Sequence, residues 1–343
     1  MARLRIGACL SLSGRYAQFG RQAAQGLAVW RSLDGAADLV IEDDHSDRRA
    51  LEAAMAHVAP RSDVLLGPYS TQLMRVAGRV AAESGWLVWN HGGSGDDVEA
   101  GYPGHVVSVL TPTSRYADPF LQLLAAGPPP PAALWVTHGK GSFGRQVADG
   151  AETTAGRLGI PTVRTGPGEL PFDVPPPDWG LLCAGLFEED VQTVGRALNL
   201  PHPPRLVCAV AAGVREFGRA VSNPEGIFGV AQWFPGSGHT AKLGPAEPDF
   251  LSAYAGKTGE LPDYPAVQAV ASAVLAAHCA RLANGTAPEL LWPVAATLDT
   301  MTLFGGFQID PVSGAQIKHQ TVLVRWTTEE PAAVQASAPQ QEI

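Results

Sequence analysis

Residues 64–94, VLLGPYSTQLMRVAGRVAAESGWLVWNHGGS, confine the chain to few folds. The short apolar run Val64–Leu66 has the length of a buried strand. Gly67 and Pro68 break it, and Tyr69, Ser70 and Thr71 follow at the turn. Leu73, Ala77, Val80 and Ala81 then recur at helical spacing up to Gly85. A second apolar run, Trp86–Trp89, ends in Asn90, His91, Gly92, Gly93 and Ser94. Strand, helix and strand in this order form a parallel crossover, and open parallel sheets bind ligands beyond the carboxyl ends of their strands. Ser70 or Thr71 is a natural N-cap there. The free N–H groups and positive dipole end of the helix it starts suit a carboxylate. Ser70 either caps its helix alone or also contacts a ligand. Gly92 and Gly93 likewise either admit a ligand to the backbone or simply make the turn.

The rest of the chain repeats the alternation. Leu4–Leu10 reads as a strand, Ala23, Leu27 and Trp30 as one face of a helix, and Leu39–Ile41 as a second strand. Ala50, Leu51, Ala54, Met55 and Val58 mark a second helix. After a strand near Val106–Val109 and a helix over 115–124, Gly127 and Pro128–Pro131 close the first series. A second series has strands at Ala132–Thr137, Leu181–Ala184, Leu206–Val210 and Ile227–Val230. It has a helix after Gly144 and a Pro/Gly-rich loop over Gly166–Pro177. Ala266, Val270, Ala273, Val274 and Ala277 mark a long helix. Phe307–Ile309 and Thr321–Trp326 read as arms of a hairpin around Asp310–Gly314, and residues after about Thr328 as a frayed end. The fold class expected is α/β with doubly wound parallel sheets. At 343 residues the chain exceeds one ordinary core and divides into two domains.

Composition excludes several function classes. A net charge of −9 argues against nucleic acid or an anionic membrane surface as partner. No apolar run approaches the ~20 residues of a membrane span, so direct membrane insertion is not expected. The N-terminus, MARLRIGACLSLSG, lacks the apolar stretch of a signal peptide, because Arg5 interrupts it. Cys9, Cys183, Cys208 and Cys279 form no short-spaced pair and read as small buried hydrophobes, although Cys183 and Cys208 are candidates for neighbouring strands. No metal is expected. Asp43, Asp44 and Asp47 follow a strand, where such residues cap the next helix.

Taken in order, Ile6-Gly7 through Leu12-Ser13-Gly14 and Gly20, Glu42-Asp43-Asp44 with Ser46-Asp47, the LLGPYST turn and the strand ending NHGGS carry a resemblance. Thr111-Pro112-Thr113, Gly141–Gly144 and the terminal TLFGGFQIDPVSGAQIKHQTVLVRW extend it over nearly the whole chain. The sequence resembles the type I solute-binding proteins of ABC transporters, the branched-chain amino-acid-binding group. That resemblance implies two α/β lobes joined by three crossover segments: residues 1–118 plus 236–318, and residues 119–235 plus 319–343. It implies a non-catalytic protein without cofactor that closes by hinge motion on a small carboxylate-bearing ligand. The partner implied is an ABC permease and the location periplasmic or cell-surface. Ser70 and Thr71 would hold the carboxylate, with Tyr69 in the same turn. The Gly92 carbonyl and the Ser94 hydroxyl would face a polar group, with His91 beside them as a ligand contact or a solvent-facing loop residue. Phe19 would wall the first lobe, and Phe143 and Phe187 the second.

One departure bears on the ligand. Amino-acid binders of this group place a second-lobe carboxylate opposite the ammonium, at a position that should follow Leu206–Val210. Here Ala211, Ala212 and Gly213 stand there. A buried ammonium without a charged partner is costly. The lining suits a carboxylate with an apolar body, aromatic or aliphatic, or a neutral amide, unless Glu188 or Glu189 restores the charge for an amino acid. Two other readings remain. A cytoplasmic ligand sensor of the amide-responsive type, acting through a regulator protein, fits if the chain is complete. Gly139–Gly144 matches G-x-G-x-x-G, with Arg164 placed to meet a 2′-phosphate, so an NADP-dependent oxidoreductase is the remote alternative.

Overall fold

The structure, a computed structural model, describes residues 3–34, 37–127, 131–170, 178–237, 239–328 and 330–334. The chain divides into two compact units, residues 1–112 with 238–320 and residues 113–237 with 321–343, so it passes from one to the other three times.

Unit 1 begins β1 (Leu4–Leu10), α1 (Ala17–Asp34), β2 (Ala37–Asp43), α2 (Arg48–Val58), β3 (Val64–Leu66), α3 (Thr71–Ser84), β4 (Val88–Asn90), α4 (Asp97–Ala100) and β5 (Val106–Ser108). These strands form one parallel sheet in the order β2-β1-β3-β4-β5. Strands β3, β4 and β5 are short and mainly apolar because helices cover both faces, whereas β1 carries Arg5 and the edge strand β2 carries Asp38 and Glu42. Cys9, Leu65, Val88 and Val106 pack with Leu51, Met55, Leu73 and Ala77 of α2 and α3.

Unit 2 continues with α5 (Asp118–Ala126), β6 (Ala133–His138), α6 (Ser142–Leu158), β7 (Thr162–Arg164), β8 (Trp179–Ala184), α7 (Phe187–Leu198), β9 (Leu206–Ala209), α8 (Glu216–Ala220) and β10 (Phe228–Ala231). The chain then returns to unit 1 for α9 (Glu247–Thr258), α10 (Tyr264–Ala283), α11 (Pro288–Thr297), β11 (Thr300–Thr302) and β12 (Gly305–Phe307). It ends in unit 2 with β13 (Val322–Trp326) and β14 (Pro331–Ala333).

Helix α10 packs on α1, β3 and β4. Gly26 of α1 permits this, since a Cβ there would lie 2.6 Å from the Ala266 carbonyl oxygen. By length and apolarity α10 is the one helix among the described residues able to cross a membrane, which corrects the expectation that no run reaches that length. It is mostly buried inside unit 1.

The second sheet runs β14-β13-β10-β9-β8-β6-β7. Five strands are parallel, but β13 lies antiparallel to β10 and β14 antiparallel to β13. A doubly wound sheet is thus extended by an antiparallel edge, which the alternation alone did not specify. The expected hairpin is corrected as well. Strand β12 pairs with β11, Ile309 bridges only to Gln316, and β13 belongs to the other unit's sheet. The turn itself forms as expected, with Asp310 Oδ1 accepting from the Val312 and Ser313 N–H groups at 3.0 and 2.7 Å.

Smaller differences follow. The helix expected over 115–124 is a short 3-10 turn at Thr113–Arg115 and then α5. Part of the expected frayed end is β14, and residues 335–343 lie outside the described residues, as do Pro128–Pro130 and residues 171–177 of the Pro/Gly-rich loop. Cys183 and Cys208 do sit on neighbouring strands. Cys183 packs with Trp179, Val194 and Phe217, and Cys208 with Phe120, Val147 and Leu182, two cores on opposite faces of the sheet. All four cysteines are free and buried, and burial pushes their thiol pKa values up.

Candidate functional site

The carboxyl ends of β3 and β4 meet in two interlocked turns. Ser70 sits at φ 96°, ψ 143°, a conformation that side chains rarely adopt and that costs of order 1–3 kcal/mol. Its hydroxyl oxygen accepts from the Leu73 N–H at 3.3 Å and caps α3, and its own N–H donates to the Gly92 carbonyl at 2.8 Å. That carbonyl, expected to face a ligand, is therefore already engaged. The N–H groups of Thr71 and Gln72, in the first turn of α3, have no protein partner among the described residues, and that turn carries no acid. The positive end of α3 is left open to an anion. The Thr71 side chain is buried, its Oγ1 accepting from the Gly95 N–H at 3.1 Å.

Asn90, which sequence reasoning passed over, builds the second turn. Its Oδ1 accepts from the N–H groups of Gly92 and Gly93 at 3.0 and 2.9 Å. Its Nδ2 donates to the Gly93 carbonyl at 2.6 Å, to Glu99 Oε1 at 2.8 Å and toward Ser108 Oγ at 3.1 Å. Glu99 is buried, and burial pushes its carboxyl pKa up to about 7 against the pull of Asn90. Gly92 and Gly93 are required by close approach. A Cβ on Gly92 would lie 2.5 Å from the Pro68 carbonyl oxygen, and one on Gly93 would lie 2.6 Å from Met74.

Ser94 is buried beside this turn. Phe19 stacks on Tyr69 with ring centroids 4.5 Å apart, and Tyr16 lies 6.1 Å from the same ring. The structure thus brings Phe19, Tyr69, Ser70, Thr71, His91, Gly92 and Ser94 to one end of unit 1.

His91 corrects the solvent-facing alternative. It is fully buried, and among the described residues neither ring nitrogen has a hydrogen-bond partner of good geometry. Burial pushes its pKa down to about 4, more than the Gly67 backbone favours the charged form. Between pH 4 and 6.5 the unfolded chain therefore holds a proton that the folded chain does not. Stability should fall by about 3 kcal/mol as pH drops through that window. In His91→Leu this part of the pH dependence should vanish from urea-unfolding curves. An unchanged slope would assign it elsewhere.

The aspartates after β2 serve the fold. Asp47 Oδ1 caps α2 through the Arg49 and Ala50 N–H groups at 2.9 and 3.0 Å. Asp43 accepts from the Leu12 and His45 N–H groups, and Asp44 from the Ser11 hydroxyl.

In unit 2, Phe143 at the start of α6 meets Tyr116 edge-on at 5.7 Å, and Phe187 at the start of α7 packs on the core at the other face of the sheet. The two aromatics are each partly committed to packing. A cavity of about 800 Å³ opens at the ends of β6 and β8, lined among others by His138, Lys140, Glu189, Asp190 and Arg196. Glu189 caps α7, accepting from the Leu186 N–H at 2.9 Å and the Lys140 N–H at 3.4 Å. Asp190, a second residue that sequence reasoning missed, is buried and accepts from the Gly185 N–H at 2.6 Å and the Ala211 N–H at 3.0 Å. It ties the end of β8 to the segment after β9, and burial pushes its pKa up to about 7.

Within the G-x-G-x-x-G run, Gly144 has a packing cause: a Cβ there would lie 2.1 Å from the Ala184 carbonyl oxygen. One on Gly139 would lie 2.0 Å from the movable Oε2 of Glu189, and one on Gly141 would meet open space. Arg164 is held by Asp149 and Glu152 at 3.1 and 2.9 Å, so its charge is not set aside for a 2′-phosphate.

No family model and no curated protein matches the chain. Solved structures do. The leucine-binding protein LivK of Thermotoga maritima aligns over 99% of this chain and 100% of its own, with a TM-score of 0.83 at 15% identity. The chain has the type I periplasmic-binding-protein fold.

Two further proteins of this periplasmic-binding-protein fold span the chemistry of their ligands. The branched-chain amino acid transporter substrate-binding protein LivJ of Streptococcus pneumoniae, in complex with isoleucine, covers 97% of this chain and 99% of its own, with a TM-score of 0.80 at 14% identity. An ABC-transporter solute-binding protein of Rhodopseudomonas palustris, in complex with benzoate, covers 97% and 96%, with a TM-score of 0.76 at 15% identity.

Proposed function

We propose that this chain is a non-catalytic solute-binding protein of an ABC importer, periplasmic or at the cell surface, and that its ligand is a small carboxylate without an amine. The observation that carries this reading is the strained Ser70 turn. It ends in two unpartnered N–H groups at an acid-free helix start. A non-glycine residue at positive φ is kept only where the surroundings enforce it, and such strain clusters at ligand sites. The carboxylate lies against the start of α3, with Phe19 and Tyr69 beside it. No acid stands at Ala211–Gly213, and Glu189, one of the two acids (with Glu188) that could restore the charge, is engaged by the Leu186 N–H, as its neighbour Asp190 is by the Gly185 and Ala211 N–H groups. That favours an acid with an apolar body over an amino acid.

Calorimetric titration with benzoate, leucine and isoleucine tests this. Benzoate is expected to bind in the micromolar range, about 8 kcal/mol, with both amino acids at least tenfold weaker. Tighter binding of leucine or isoleucine would overturn the ligand class.

A further inference from the structure

Three of the four non-glycine residues at positive φ among the described residues stand at nearby strand ends. Ser70 follows β3, and His45 and Ser46 follow β2, with β1 between the two strands. His45 and Ser46 lie at φ 53° and 57°, so two successive side chains occupy the left-handed region. Their surroundings enforce it. Asp43 Oδ1 accepts from the His45 N–H and Asp44 Oδ1 from the Ser46 N–H, each at 2.8 Å. Gly14, itself at φ 76°, lets the loop after β1 close over the pair, since a Cβ there would lie 2.4 Å from the His45 carbonyl oxygen.

What the strained pair delivers is the Ser46 hydroxyl. It donates to the Ser13 carbonyl at 2.8 Å and accepts from the Tyr16 N–H at 3.0 Å. Tyr16 is the residue before α1, and its carbonyl accepts from the Phe19 and Gly20 N–H groups at 3.0 Å. Its own N–H lies outside the helix ladder and is satisfied by a side chain from another loop. That bond fixes the start of α1 against the end of β2. Two rings leave this start, Tyr16 and Phe19, and their centroids lie 6.1 and 4.5 Å from that of Tyr69. All three rings are half-buried, so each keeps part of its surface beside Ser70.

We infer that Ser46 is a positioning residue for the ligand site. Its hydroxyl sets the start of α1 so that Tyr16, Phe19 and Tyr69 form one aromatic face, and that face selects an aromatic carboxylate over a saturated one of the same size. The inference rests on the reading of unit 1 as the carboxylate site. No bond from Ser46 to the ligand is assigned. Aromatic pairs gain from ring geometry beyond the area they bury, and offset or edge-on arrangements need rings held in place. A saturated ring gains from burial alone, which is non-directional and survives small shifts of the wall.

The test compares benzoate with cyclohexanecarboxylate, which has the same carbon skeleton and charge but no π-system. Both are titrated calorimetrically into the wild type, Ser46→Ala and Ser46→Gly. The wild type should bind benzoate about fivefold more tightly, within the range of an aromatic pair, and both variants should keep a preference below about twofold. Ser46→Gly removes the hydroxyl and also the side chain at positive φ, so it should unfold at higher urea than Ser46→Ala. Loss of the preference in both variants therefore separates positioning from stability. Cyclohexanecarboxylate binding the wild type as tightly as benzoate overturns the inference, and so does a preference retained in either variant. If neither acid binds the wild type, the carboxylate reading has failed, and the ligand-free protein still decides the role of Ser46. With fluorotyrosine incorporated, the Tyr16 and Tyr69 fluorine resonances should shift in both variants while that of Tyr116, in unit 2, stays in place. Unmoved Tyr16 and Tyr69 resonances overturn it.

Discussion

Asn90→Ala should cost unit 1 about 4 kcal/mol and lower benzoate affinity at least a hundredfold. The side chain satisfies the N–H groups of Gly92 and Gly93 and the Gly93 carbonyl, and it meets Glu99. Alanine strands these groups, each at about 1–3 kcal/mol where buried, and part of the sum returns as the turn relaxes toward water. Urea unfolding measures the first effect and calorimetry the second. Wild-type affinity in a folded Asn90→Ala protein would remove this turn from the site. Asn90→Asp separates charge from geometry. It keeps the acceptor for both glycine N–H groups but sets a second carboxylate beside Glu99, so it should fare worst at high pH.

The second large effect is expected at Asp190. Asp190→Ala leaves the Gly185 and Ala211 N–H groups without an acceptor and opens a hole between the ends of β8 and β9, at about 3–4 kcal/mol together. The cost should depend on pH with a definite sign. The folded-state pKa is raised to about 7 from 3.8, so between these values the folded chain holds a proton that the unfolded chain does not. Stability from this group is fully present below about pH 4 and is lost as pH rises through 7. The gap between wild type and Asp190→Ala should therefore be wider at pH 5 than at pH 8 in urea unfolding. A gap that widens toward pH 8 would mean that the carboxylate, not the acid, is the stabilising form. Glu99 acts in the same direction and His91 in the opposite one, so the three are separable only by single substitutions.

Most of the parallel strands were legible because each holds a short apolar run followed by a break and a helical period, whereas β7, with the sequence TVR, offers no such run and was missed. The Ser70 cap was legible because hydroxyl residues at a helix start have one dominant local use. Residues whose role depends on distant partners were not. Asn90 reads as a polar strand end until Glu99 and Ser108 are folded against it. Asp190 sits at a helical position that gives no sign of reaching Ala211, 21 residues on. His91, flanked by Asn90 and two glycines, has the sequence surroundings of an exposed loop, and only the packing of two turns buries it. The mistaken hairpin has the same cause. Pairing of β13 with β10 joins segments on either side of a long return through unit 1, and local alternation carries no record of that partner.

The threefold passage of the chain also sets an order of events at the ribosome. When residue 112 has emerged, unit 1 has all five strands of its parallel sheet but lacks α10, which packs on β3 and β4. Tyr254, which donates to Gln25 of α1 at 3.0 Å, lies 229 residues later. At about 5–20 residues per second, roughly 10–30 s separate the first part of the unit from the helix that covers it. Through that interval an apolar sheet face stands open while unit 2 is being made. Unit 2 in turn waits for β13 and β14 to finish its edge. Neither unit can mature before the last tenth of the chain is synthesised, so the two are completed almost together.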